Sequence, residues 1–134
     1  MARSAPMPSA TTRAIVMGAG FAGLCAARAL LEVSGEVVLI DADRPGDPFA
    51  ARAGVPQGLH SHALLARGCR ELEGLFPGLT ARLVASGGVL LDLGSDVAML
   101  VEGSWMPRHQ TGLRAFFASR GLLEGTLREL LTRD

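Results

Sequence analysis

The sequence predicts an α/β fold, and three observations carry that expectation. A short apolar run, Ala14-Ile15-Val16-Met17, leads directly into the glycine-rich hexapeptide Gly18-Ala19-Gly20-Phe21-Ala22-Gly23. A helix-compatible stretch from Phe21 to about Val33 follows. A second apolar run, Glu36-Val37-Val38-Leu39-Ile40, then ends in Asp41. Strand, tight turn, helix and strand in that order make a right-handed βαβ unit. Both strands are short and apolar on both faces, as expected of central parallel strands covered by helices on each side.

Residues 1–12 mix Ala, Ser, Pro and Thr and lack the apolar core of a secretory signal, so they read as a disordered tail before a folded part spanning 13–134. Arg13 to Met17 is the expected first strand. The hexapeptide after it has the spacing of a dinucleotide-binding fingerprint. Gly18 allows the tight turn, Gly20 lets backbone approach a pyrophosphate, and Gly23 lets the helix lie close to the strand. Phe21 and Ala22 complete the loop and open the helix, whose free N–H groups and positive dipole end suit a diphosphate. Ser34-Gly35 is the expected stop. Asp41 then stands about twenty residues after the first glycine, where an acid accepts the hydroxyls of an adenosine ribose.

From Ala42 to Leu59 the chain collects Pro45, Gly46, Pro48, Gly54, Pro56 and Gly58, which predicts a long loop, and loops of this length in compact domains tend to be functional. Ser61 is expected to cap a helix running to about Leu75, with Leu65, Cys69, Leu72 and Phe76 on one face and Arg67 paired with Glu71 on the other. Pro77-Gly78 ends it. A short helix over Thr80 to Ala85 is expected next, then two strands, Val89 to Leu93 and Val97 to Val101, joined at Gly94-Ser95-Asp96 as a small antiparallel hairpin. Glu102 to Gly112 reads as irregular. Ser119 then opens the clearest amphipathic helix, with Leu123, Leu127, Leu130 and Leu131 inward and Glu124, Arg128, Glu129 and Arg133 outward.

Composition narrows the function. All 13 basic residues are arginine, matched by 13 acids for a formal charge of zero and spread along the chain, so no basic face tracks nucleic acid. No apolar run approaches the ~20 residues that span a bilayer. Cys25 and Cys69 are two distant cysteines on apolar helix faces, which make no disulfide framework and fit a reducing cytoplasm. His60 and His62, with His109 as the only other histidine and no cysteine pair nearby, fall short of a metal site. No catalytic residue is assigned.

The order of GAGFAG, the strand VVLID, the segment GVPQGLHSHALLARGCRELEGLFPGL, the strand VLLDLG and the helix ASRGLLEGTLREL resembles the N-terminal part of FAD-dependent monooxygenases of the para-hydroxybenzoate hydroxylase class, over roughly Arg13 to Thr132. It is similar above all to bacterial enzymes that hydroxylate or epoxidise secondary metabolites. The resemblance implies a Rossmann-like FAD-binding fold, truncated, with a small hairpin and additional helices. It implies that Gly18, Gly20 and Gly23 hold the FAD pyrophosphate and that Asp41, where relatives more often carry Glu, binds the ribose. Arg44 and Arg120 are implied as further cofactor contacts, and Gln57, His60 and His62 lie in the segment that runs near the flavin. NAD(P)H is the implied electron donor and a small organic molecule the substrate.

The family's later Gly-Asp and Asp-Gly pairs are not matched. Asp-Gly is absent, and the one Gly-Asp, Gly46-Asp47, lies in the early loop. The chain is therefore expected to be the opening portion of an enzyme, to bind FAD weakly or not at all alone, and to turn over nothing. Three alternatives share part of the pattern. They are a NAD(P)-dependent Rossmann oxidoreductase, one chain of a split flavoprotein completed by another, and a non-catalytic interaction module that has lost its cofactor.

Overall fold

The computed structural model describes residues 9–43, 49, 50, 52 and 54–132, and within them the chain is a mixed α/β protein. Strand β1 (Ser9–Met17) and strand β2 (Ser34–Ile40) pair in parallel, with Ile15 opposite Val38 and Met17 opposite Ile40. Helix α1 (Phe21–Leu30) connects them. β1 runs four residues into the segment expected to be a tail, though its register breaks between Ser9 and Arg13. Val16 of β1 and Leu24 and Ala27 of α1 are buried, so the helix lies on the Val16 face of the pair. Ile15, Met17 and Ile40, displaced by one residue, are exposed. That alternation is the period of two that any strand imposes.

A one-turn 3-10 helix (Pro56–Leu59) leads to a second sheet, of strand order β3-β7-β4, in which β3 (Ser61–Leu64) and β4 (Val89–Asp92) flank β7 (Arg114–Ser119), both antiparallel to it. This corrects two expectations. Residues 61–64 are strand, and helix α2 (Ala66–Leu75) begins only after them. Pairing Ser61 with Ser119 and Leu64 with Phe116 overrides a helical pattern that carries little free energy of its own. The second correction concerns the hairpin. β4 pairs with β7 instead of residues 97–101, because the Asp92 carboxylate gathers the N–H groups of Gly94, Ser95, Thr111 and Gly112 and brings residues 111–112 back to the end of β4. A small hairpin does form, farther on, between β5 (Leu100–Val101) and β6 (Ser104–Trp105). Its two turn residues, Glu102 and Gly103, both have positive φ, as that turn type demands.

Helix α3 (Leu79–Ala85) follows α2 through a turn at Gly78, φ +85°. Glu73 fastens that turn, accepting from the N–H groups of Gly78 and Thr80 at 2.7 and 2.8 Å. Helix α4 (Arg120–Leu131) has the expected cap, the Ser119 hydroxyl accepting from the Leu122 N–H at 3.1 Å. Leu24, Leu72, Phe76, Leu79, Leu83, Phe116, Leu123 and Leu127 form one core, so all four helices and β7 meet there. Arg28 adds a tie from α1 to the last turn of α2, donating to the Leu75 carbonyl at 2.9 Å. No helix among the described residues is long and apolar enough to cross a membrane.

Candidate functional site

Residues 18–20 are the bend between β1 and α1, and residues 21–23 open the helix. Gly18 has φ +97°, in the left-handed region, and its N–H donates to the Ile40 carbonyl at 2.6 Å, which fixes the bend to the end of β2. Gly20 is the N-cap of α1 and offers no side chain to its first turn. Gly23 faces Gly18 so closely that a Cβ there would overlap the Gly18 carbonyl oxygen and lie 2.9 Å from its carbonyl carbon. In the first turn of α1 the Phe21 N–H donates to Glu124 Oε1 at 3.1 Å and the Leu24 N–H to the Gly20 carbonyl at 3.0 Å. The N–H groups of Ala22 and Gly23 take no partner among the described residues. They leave the positive end of a ten-residue helix open to an anion.

Asp41, at the end of β2, stands beside this bend. Its carboxylate accepts from the Ala19 N–H, from the Asp43 N–H at 2.8 Å, and from Arg52 Nη2 at 2.7 Å to each oxygen. The Asp43 and Ala19 amides, helped by Arg52, outweigh the opposing effect of burial and hold its pKa down to about 2. It is therefore ionised whenever the fold is intact near neutral pH.

Arg52 belongs to the long loop and forks between three acids: Asp41, Asp43 through Nε at 2.6 Å, and Glu124 at 3.6 Å. Burial opposes its charge, but the bonds to Asp43 and Asp41 outweigh burial and raise its pKa. A Cβ at Gly20 would lie 3.5 Å from Arg52 Nη1 and 3.9 Å from Glu124 Oε1, so both groups border the space over that glycine. Glu124 is 3% exposed and takes Arg120 Nε at 2.6 Å, its neighbour one turn back on α4. The Arg120 guanidinium also sits 5.2 Å from the centre of the Phe21 ring. Arg128, a further turn along α4, donates to the Ala19 carbonyl at 3.1 Å.

The fold thus brings Gly18, Gly20, Phe21, Ala22, Gly23, Asp41 and Arg120 to one place. Gln57 and His60 are exposed in and just after the 3-10 turn, which leans on the start of α4; a Cβ at Gly58 would lie 4.0 Å from that of Arg120. His62 lies in β3 with Nδ1 2.8 Å from the His60 carbonyl, and no group of three or more His, Cys, Asp or Glu able to hold a metal gathers among the described residues. Arg44 and the Gly46-Asp47 pair lie outside the described residues. Three residues of the cluster were not expected. Arg52 was assigned no role from the sequence, and Glu124 and Arg128 were both expected to face outward, whereas Glu124 is buried and Arg128 bonds the Ala19 carbonyl. Glu124 is buried because α4 packs against α1 on that side, and the only sequence sign was its spacing of four from Arg120.

No protein-family model matches the chain. It is 39% identical over 122 residues to Protein Rv3254 of Mycobacterium tuberculosis (strain ATCC 25618 / H37Rv), an alignment that covers 86% of this chain and 25% of the relative. The chain spans about a quarter of the length of the curated relative it matches.

Proposed function

We propose that this chain is the FAD-binding N-terminal portion of a flavin-dependent oxidoreductase of the monooxygenase kind, with a Rossmann-like dinucleotide site in the bend between β1 and α1. The observation that carries the reading is the pair of unclaimed amides, Ala22 and Gly23, over a glycine-lined bend with an ionised Asp41 at its flank. The residues present fit a dinucleotide. The space bordered by Gly20, Arg52 and Glu124 is kept open by the missing Cβ, and Arg52 and Arg120 supply positive charge beside it. The amides would hold the pyrophosphate, Asp41 would receive the ribose hydroxyls, and Arg52 would lie against both. When bound, FAD supplies the oxidation and reduction, with NAD(P)H as donor and a small organic metabolite as substrate. The substrate pocket belongs to sequence beyond this chain, in keeping with the quarter of its relative that it spans.

A nicotinamide dinucleotide would use the same bend. The one observation on its side is Arg52 against Asp41, because a basic group near the ribose receives a 2′-phosphate. Titration of the chain with FAD and with NADPH, followed at the backbone amides by NMR, separates the two and detects weak binding. FAD is expected to move Gly20, Ala22, Gly23 and Asp41. Gly20→Ala is the control: its φ of −77° is ordinary and the nearest atom to its new methyl is Arg52 Nη1 at 3.5 Å, an ordinary contact, so the fold tolerates it while the pyrophosphate loses its space. FAD binding unchanged in Gly20→Ala, or shifts confined to residues elsewhere, would refute the reading.

A further inference from the structure

Glu124 is a nearly buried carboxylate placed where an anion site is expected to be cationic. Its Oε1 accepts from the Phe21 N–H and from Arg120 Nε, and its Oε2 lies 3.6 Å from Arg52 Nη1. These are the groups that a diphosphate would seek: an amide at the positive end of α1 and two guanidinium groups, Arg52 bordering Gly20 and Arg120 against the Phe21 ring. Counting Arg52, Arg120 and Arg128 against Asp41, Asp43 and Glu124, the cluster is electrically neutral. Without Glu124 it would carry a net positive charge.

We propose that Glu124 is a built-in competitor for the phosphate groups of the ligand, an internal carboxylate that holds Arg52 and Arg120 until an incoming diphosphate draws them away, and so sets how tightly the site takes phosphate. The proposal rests on the dinucleotide reading above. At 3% exposure the carboxylate is poorly screened, and its oxygen lies 3.9 Å from the position of a Cβ on Gly20, on the side a ligand must approach. Two anions at such range repel strongly when little solvent lies between them. The two shorter contacts both fall on Oε1. A glutamine can keep them with its carbonyl oxygen while losing the charge.

The test is titration of the 134-residue chain and of Glu124→Gln with ADP and with adenosine. Removing the charge is expected to tighten ADP on the order of tenfold and to leave adenosine, which has the same base and ribose but no phosphate, unchanged. A purely structural role for Glu124 would weaken both ligands together. ADP affinity equal to or below that of the parent, in a parent chain that binds ADP at residues 20–23, overturns the proposal. A second measurement stands independent of the variant's folding: ADP added to the parent moves the Nε–H resonances of Arg52 and Arg120. If ADP binds and those resonances stay fixed, Glu124 does not compete. Should ADP leave the amides of residues 20–23 unmoved in every chain, the dinucleotide reading falls and this inference with it.

Discussion

Gly23→Ala tests the geometry on which the site depends. The added methyl would overlap the Gly18 carbonyl oxygen and sit 2.9 Å from its carbon, with Val16 Cγ1 at 3.5 Å behind. The obstacle is backbone, so no change of rotamer relieves it. Either α1 retreats from β1 or the Gly18 bend, held at φ +97° and tied to Ile40, must open. Overpacking of this kind costs typically ~1–3 kcal/mol, and a backbone obstacle puts the cost at the upper end. Alanine's helix preference returns about 1 kcal/mol, leaving a net loss of roughly 2 kcal/mol, a large share of a domain's stability. Gly74→Ala is the matched control: it lies in α2 with no atom within 4 Å of its new Cβ, and is expected to gain about 0.5–1 kcal/mol. Urea unfolding followed by circular dichroism measures both. A Gly23→Ala midpoint at or above that of the parent would refute the argument that glycine is required by close helix-strand approach.

Asp41→Asn is expected to change the acid limb of stability. The folded carboxyl is held down to about 2 from an ordinary 3.8, so its contribution is complete above about pH 4 and is lost as pH falls toward 2. That contribution is on the order of 2 kcal/mol. Asp41→Asn should be less stable than the parent at pH 7 by about this much, and the two curves should converge near pH 2; parallel curves would contradict the assignment. Burial raises the pKa of both Cys25 and Cys69, so iodoacetamide at pH 8 should alkylate the folded chain far more slowly than the urea-unfolded one, as read by mass spectrometry. Ser119→Ala removes the cap on the Leu122 N–H and should cost about 1 kcal/mol in the same urea assay.

The parts of the fold that were legible in the sequence are those whose signals lie side by side in it. β1, the glycine bend, α1, β2 and Asp41 occupy contiguous residues, and each has a local cause: apolar runs, a positive φ, a close approach. α4 was legible through its period and its Ser119 cap. β3 and β7 were not, because strands of four and six residues exist only through each other. Taken alone, Ser61-His62-Ala63-Leu64 continues the apolar period of α2. The expected hairpin failed for a related reason. Asp92 reads as an ordinary position of the strand Val89 to Leu93, yet its carboxylate gathers Gly94, Thr111 and Gly112, and those bonds outweigh burial to hold its pKa well below the usual carboxylate range.

The same distinction divides the candidate site. Its shape comes from the βαβ unit: the Gly18 bond to Ile40 and the contact of Gly23 with Gly18 are made within 23 residues of chain. Asp41 apart, its charge comes from elsewhere, from Arg52 in the loop and from Arg120, Glu124 and Arg128 on α4, with Glu124 lying 103 residues from the amide it caps. α4 reaches the bend because Leu123 and Leu127 are buried with Leu24 in the common core. A cavity in that core, as in Leu127→Ala, therefore acts twice. It lowers stability by about 2–5 kcal/mol, and it loosens Glu124 from Arg52 and Arg128 from the Ala19 carbonyl while leaving the fold of the glycine bend intact. Shape and charge are separable in this chain, and phosphate affinity is the property that needs both.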